Sequence, residues 1–158
     1  MKHCFEPWID DQTKVVIVGT IPSIISLREN MYYANPQNRF WRYMANILNI
    51  KDELTNRKNM LLSNHIGLWD ALSLCDGKGS LDANIINEQY NDFSAFKHIK
   101  YFLFNGQKAY SFFCKHNKQM LTEKNFLVLP STSPANASIP EDIKFEKWKA
   151  ALGLALKF

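Results

Sequence analysis

Short apolar runs alternate along the chain with longer segments whose apolar residues recur at helical spacing. Lys14-Val15-Val16-Ile17-Val18-Gly19 is a β-branched run closed by a glycine, which reads as a fully buried strand of a parallel sheet. Three later runs, at 66–71, 101–106 and 126–130, share its character. From Pro36 onward, Phe40, Trp41, Met44, Ile47 and Leu48 fall on one helical face, and a second helix is expected over 107–116. A third covers 140–156, with Ile143, Trp148, Leu152 and Leu156 near one face. Pro140 suits its first turn, and Glu141 and Asp142 oppose the helix dipole there. Segments 56–64 and 76–91 read as loops. Strands alternating with helices imply an α/β sheet covered on both faces. No repeat, low-complexity tract or linker interrupts the chain, so residues 1–158 form a single domain.

In such sheets ligands gather beyond the carboxyl ends of the strands. The first strand runs into Gly19-Thr20-Ile21-Pro22-Ser23 and the third into Asn105-Gly106. The fourth runs into Pro130-Ser131-Thr132-Ser133-Pro134-Ala135-Asn136. All three small, polar turns are therefore expected on one rim.

Composition narrows the setting. A chain of 158 residues suits one domain, which buries about two-thirds of its unfolded surface. Its 46% hydrophobic content excludes a disordered or fibrous chain. No apolar run approaches the roughly 18 residues of a membrane span. The charged opening MKHCFEPWIDDQ lacks the apolar stretch of a signal peptide. A cytoplasmic protein is expected, without membrane association. Cys4, Cys75 and Cys114 lie far apart and the four histidines are scattered, so neither a disulfide framework nor a metal site is expected. The net charge of +4 permits nucleic-acid binding without demanding it.

Four segments taken together are more telling: Gly19-Thr20-Ile21-Pro22-Ser23, the stretch from Met31 through Tyr33 and Asn38 to Trp41 (MYYANPQNRFW), the strand end Phe104-Asn105-Gly106, and the loop STSPAN at 131–136. Their combination resembles the uracil-DNA glycosylase superfamily, and most closely its branch of deoxyinosine (hypoxanthine) DNA glycosylases. The first segment alone is a weak signal; the ordered set, from Val15 to about Trp148, is a strong one. The resemblance implies a three-layer α/β/α sandwich with a short, mainly parallel four-stranded sheet. It also implies a monomeric enzyme that flips a damaged nucleotide out of double-stranded DNA, hydrolyses its N-glycosidic bond and uses no cofactor or metal.

Two departures bear on the substrate. Uracil-removing branches carry an asparagine or aspartate in the first segment, where this chain has Ile21 and no carboxylate. Their second motif begins with a histidine that supports the departing base anion, where this chain has Ser131. Both departures argue against efficient uracil chemistry. In the hypoxanthine branch the catalytic role falls on the asparagine of the NRFW segment, here Asn38. An amide is no general base at neutral pH, but its oxygen orients a water. An oxocarbenium-like sugar needs little more from its nucleophile, by analogy with other glycosidic chemistry. Backbone N–H groups at the Pro22-Ser23 helix start are candidates to stabilise the leaving anion.

The resemblance places Gly19, Thr20, Ile21, Pro22, Tyr33 and Asn105 in the base pocket, with Tyr33 stacking on the base and Asn105 reading its edge. Ser23, Ser131, Ser133, Pro134, Ala135 and Asn136 fall in the DNA-binding set, Ser131 and Ser133 as phosphate donors. Each residue also has a plainer reading. Asn38 fits a helix cap, Tyr33 a core aromatic, Asn105-Gly106 a turn, Gly19 and Pro22 a tight strand-to-helix connection, and Arg39 either an ion pair or a phosphate contact. Asp70 follows a buried strand and is left without a role. No lysine lies within the matched motifs, which disfavours a Schiff-base lyase. The alternatives to a hypoxanthine glycosylase are a mismatch-type uracil-DNA glycosylase and a non-catalytic module that binds damaged DNA or nucleotides.

Overall fold

A computed structural model describes residues 2–3, 5–75, 88–135 and 138–157 of the chain. Its elements in order are β1 (Lys2–His3), β2 (Val15–Gly19), α1 (Ile24–Glu29), α2 (Phe40–Leu48), α3 (Arg57–Leu62), β3 (Ile66–Asp70), β4 (Leu72–Cys75), β5 (Gln89–Tyr90), β6 (Tyr101–Asn105), α4 (Gln107–Asn117), β7 (Asn125–Leu129) and α5 (Glu141–Leu156), with short 3-10 turns at Leu54–Asn56 and Lys118–Leu121. The central sheet has the order β3-β2-β6-β7, and every pairing within it is parallel. The four apolar runs are thus the four strands.

Two faces of the sheet bury two cores because successive side chains point opposite ways. Val15 and Ile17 of β2, with Leu103 of β6, pack under Phe40 and Met44 of α2, Leu61 of α3, and Trp148 and Leu152 of α5. Val16 and Val18, with Phe102 and Phe104, pack under Ala109 and Phe113 of α4 and under Phe93 and Ile99. Three layers result, as expected. β7 differs from the other runs: as the edge strand it leaves Phe126 and Val128 more than a third exposed.

Several expectations are corrected. Segment 56–64 is not loop: Arg57–Leu62 is helical, and it buries Met60 and Leu61. The helix assigned from Pro36 begins at Phe40. The preceding residues form a turn in which the Asn35 side chain accepts the Gln37 N–H at 2.9 Å and the Asn35 carbonyl accepts the Asn38 N–H at 2.9 Å. On α5, Ile143 faces solvent and Lys144 takes the buried place beside Trp148. Lys144 lies 3.8 Å from Glu141 one turn earlier, and this pairing lets a lysine sit where an apolar residue was expected. A small antiparallel sheet, β1-β4-β5, was not anticipated at all. Its strands are two to four residues long, too short to declare a period of two. Part of the expected loop at 76–91 lies outside the described residues.

Register aligns the carboxyl ends of the central strands. Gly19 of β2 pairs with Asp70 of β3, and Asn105 of β6 pairs with Leu129 of β7. Every turn that leaves this edge therefore opens onto the same rim.

Candidate active site

A cavity of about 740 Å³ opens at that rim, well within the size range of small-molecule sites. Its walls include Gly19, Thr20, Ile21, Pro22, Ser23, Tyr33, Asn38, Asn105, Ser131, Ser133, Pro134 and Ala135. Every described residue of the sequence-based site set therefore meets in one hollow. Asn136 lies outside the described residues. Asp70 and Thr132 line the same cavity, and so do Lys108 and Lys147.

Asn38 sits in the turn that enters α2. Its Oδ1 accepts the Phe40 N–H at 2.9 Å, so the capping expected of an asparagine at a helix start does occur. Capping and cavity lining coincide here because the bond leaves the carboxamide its NH2 group and the second lone pair of Oδ1. Among the described residues nothing else is hydrogen-bonded to this side chain. The turn is fastened to the far loop by the Arg39 N–H, which donates to the Thr132 carbonyl at 3.1 Å.

Tyr33 is held by its neighbours. Tyr32 is nearly fully buried, its hydroxyl donates to the Glu6 carbonyl at 2.8 Å, and its carbonyl accepts the Trp41 indole N–H at 2.7 Å. On the other side, the Ala34 N–H donates to Ser26 Oγ at 3.1 Å. Between these anchors Tyr33 takes a left-handed backbone, φ 52°, a conformation costly for an aromatic residue and recurrent at ligand sites. One face of its ring stacks on Phe40, with centroids 4.3 Å apart and planes 30° apart. That leaves the ring fixed as a platform against the cavity. Burial and the neighbouring Asp70 charge both push the phenol well above its usual pKa, and a hydrogen bond from Asn105 only partly opposes them. The hydroxyl is protonated across the physiological range.

Asn105, on the cavity wall, is tied to the last loop. Its Oδ1 accepts the Thr132 N–H at 2.9 Å, its Nδ2 donates to Thr132 Oγ1 at 2.9 Å, and the same amide bonds the Tyr33 hydroxyl. With these bonds made and only 8% of the residue exposed, the amide holds β6, the Tyr33 tip and the 131–135 loop together and keeps one Oδ1 lone pair. Thr132, fully buried, is the partner that sequence reading passed over in favour of the serines on either side. Gly106 follows at φ 97°, where a Cβ would come within 3.1 Å of Ser131 Cβ; a glycine is needed there for conformation and for clearance.

The first turn leads into α1. Ser23 caps α1, its Oγ accepting the Ser26 N–H at 3.1 Å. The helix is only six residues long, Pro22 has no N–H, and the Ser26 N–H is already committed. The Ile24 and Ile25 N–H groups are the ones left at the start of α1. In the last loop, Ser131 Oγ accepts the Ser133 N–H at 3.1 Å and Ser133 Oγ accepts the Ala135 N–H at 3.3 Å. These side chain-to-backbone turns shape the lip, on which Pro134 and Ala135 are exposed.

Arg39 lies 3.5 Å from Glu141, both side chains partly exposed. No group of three or more metal-ligating side chains occurs among the described residues. No helix among them is long and apolar enough to cross a membrane.

The fold and the site can be set beside known proteins. A hypoxanthine DNA glycosylase of Methanosarcina acetivorans is 34% identical over 159 residues, spanning 95% of this chain and 97% of that protein. A second, of Methanosarcina barkeri, is 36% identical over 115 residues, spanning 68% and 73% respectively. A candidate uracil DNA glycosylase from M. acetivorans, solved by solution NMR, shares the fold with a TM-score of 0.83 at 31% identity, over 99% of both chains. The family model for the uracil DNA glycosylase superfamily matches residues 6–153. With nearly the whole chain inside that match, and its motifs gathered around one cavity, the chain belongs to the uracil DNA glycosylase superfamily.

Proposed function

We propose that this protein is a monofunctional DNA glycosylase that removes hypoxanthine from deoxyinosine sites in double-stranded DNA. The observation that carries the reading is the Asn38 carboxamide, pinned by the Phe40 N–H on the wall of the cavity that Tyr33 also lines. The two relatives named hypoxanthine DNA glycosylases support the choice of base. The enzyme acts in the cytoplasm and as a monomer, which leaves the cavity mouth open to a bulky duplex.

The flipped base lies on the free face of Tyr33, whose other face is fixed by Phe40. The 131–135 lip and the cavity lysines Lys108 and Lys147 meet the phosphates around the extruded nucleotide. The electron pair of the bond between C1′ and N9 leaves with the purine. Asn38 Oδ1 holds a water near C1′ of the resulting oxocarbenium-like sugar. The water adds to C1′ and gives up a proton, the departing purine takes up a proton, and an abasic site remains.

Single-turnover base release from duplexes containing one deoxyinosine or one uracil tests this, with abasic product revealed by alkali. Wild-type protein should release hypoxanthine faster than uracil, and Asn38→Ala should lower that rate at least about 100-fold, the scale of a lost catalytic positioning group. Faster uracil release would overturn the substrate. Binding without release of either base would make the protein a damage-binding module.

A further inference from the structure

A second hollow, of about 600 Å³, lies on the other side of the lip. Ser133, Pro134 and Ile139 line it and the base cavity alike, so one wall separates the two. Across from that wall stand Arg39 and Arg42, three residues apart at the start of α2 and therefore on one helical face. The start of α5 adds Lys144 and Glu141. Three cations thus face a single carboxylate among the described residues that line the hollow. That carboxylate is shared: Arg39 Nε lies 3.5 Å from it, Lys144 Nζ lies 3.8 Å from it, and the Tyr43 hydroxyl donates to it. Among the described residues the Arg42 side chain has neither a hydrogen bond nor an ion pair, and the Arg39 guanidinium makes no hydrogen bond. The hollow is left with a net positive charge and with arginine N–H donors still to give.

We propose that this hollow is a second phosphate site for the DNA strand, in which Arg39 and Arg42 grip backbone phosphates next to the extruded nucleotide. This rests on the glycosylase reading above and adds a contact outside the base cavity. A nucleotide lodged in that cavity stays joined to its neighbours, and a strand that leaves over the Ser133-Pro134 lip meets the arginine pair directly. A guanidinium fork matches two oxygens of one phosphate and keeps its charge at every physiological pH, which suits it to this grip better than a lysine. Arg39 also follows Asn38 directly, and its N–H is fixed to the Thr132 carbonyl at 3.1 Å. A phosphate held at Arg39 therefore fixes the sugar relative to the Asn38 amide. Binding away from the reacting bond then improves placement at it.

The test is a scan of duplexes that contain one abasic site and a single neutral methylphosphonate, moved from phosphate to phosphate around that site. Each is titrated with wild type, Arg39→Ala and Arg42→Ala. In wild type at least one neutralised phosphate beside the abasic nucleotide should weaken binding at least about tenfold, the scale of one charge-assisted hydrogen bond. Each variant should lower the slope of log affinity against log salt by about 0.9. Neutralising the phosphate that the missing arginine held should then cost the variant less than about twofold, with the penalties at other phosphates retained. Arg42→Ala breaks no ion pair of the fold, and a wild-type urea midpoint for it keeps the test independent of folding. Unchanged penalties in both variants would overturn the site while leaving the proposed activity intact. Competition by free deoxyinosine monophosphate as strong as by the duplex would make the hollow a mononucleotide site and overturn the proposal. If wild type shows the expected scan and releases no base, the activity falls and the phosphate site stands.

Discussion

The clamp between Asn105 and Thr132 lends itself to a quantitative test. Asn105→Ala removes two hydrogen bonds of 2.9 Å to a threonine with no exposed surface, along with the donor to the Tyr33 hydroxyl. A buried polar group left without its partner costs about 1–3 kcal/mol, and Asn105→Ala strands the Thr132 N–H and Oγ1. Allowing for partial relaxation and for the small cavity, the expected loss is about 3–5 kcal/mol. Thr132→Val keeps the bond from the Thr132 N–H to Oδ1 and strands only one N–H of the Asn105 amide, so about 1–2 kcal/mol is expected. In the double variant the Oγ1 bond is already gone, so its cost should fall short of the sum of the two single costs by about 1–2 kcal/mol. Urea unfolding monitored by tryptophan fluorescence at constant pH measures all three. The Arg39 N–H also bonds the Thr132 carbonyl, so the same loop helps to place Asn38. Single-turnover release should therefore fall in Asn105→Ala even where the protein is fully folded. A loss under about 1 kcal/mol in Asn105→Ala, or strict additivity in the double variant, would refute the clamp.

Three further outcomes follow from the same site. Gly19→Ala drives a methyl to 2.5 Å from Asp70 Oδ1 and 2.7 Å from the Tyr33 hydroxyl; about 1–3 kcal/mol of stability and most of the base-release rate should be lost, and near-wild-type turnover would show that the two oxygens move freely. The raised pKa of Tyr33 has a definite sign: the unfolded chain loses this proton near the ordinary tyrosine value of 10.0 while the folded chain keeps it, so the contribution is intact below that pH and fades above it. Urea midpoints for wild type and Tyr33→Phe should keep a constant difference from pH 8 to about 9.5 and then shift against the wild type as pH rises; parallel curves up to pH 11 would contradict burial of the phenol. Lys108→Ala and Lys147→Ala should each reduce the slope of log affinity against log salt by about 0.9 if they meet phosphates, and borohydride should trap no protein–DNA adduct; a trapped adduct would make one of these lysines a Schiff-base nucleophile.

The strands of the central sheet were legible because each is a continuous apolar run, the pattern that burial on both faces demands. Their common rim followed from the parallel topology without knowledge of any side-chain contact. What the pattern hid is instructive. Lys144 replaces an apolar residue on the inner face of α5 by pairing with Glu141, so a hydropathy reading rotated that helix toward Ile143. The 57–62 helix was missed because Arg57, Lys58 and Asn59 precede its two buried residues, Met60 and Leu61, and six residues do not complete two turns of apolar period. Thr132 was missed for another reason. Its significance lies in its two bonds to Asn105, 27 residues earlier in the chain, and local sequence does not show that contact.

Helix capping and the proposed water-positioning role are compatible at Asn38. A carboxamide in a flexible turn would rotate freely, and a freely rotating group positions a water poorly. Bonding one lone pair of Oδ1 to the Phe40 N–H fixes that rotation, and α2 itself is fixed by Phe40, Trp41 and Met44 in the core beneath it. Phe40 then carries the second half of the site, because its ring supports Tyr33 at 4.3 Å. One helix start thus fixes both the Asn38 amide and the Tyr33 ring, to which the proposed function assigns the water and the base. The distance between the two is tied to core packing, with the 131–135 loop bracing the turn through the Arg39 N–H. Such an arrangement suits a reaction whose sugar cation asks for placement of its nucleophile more than for its activation.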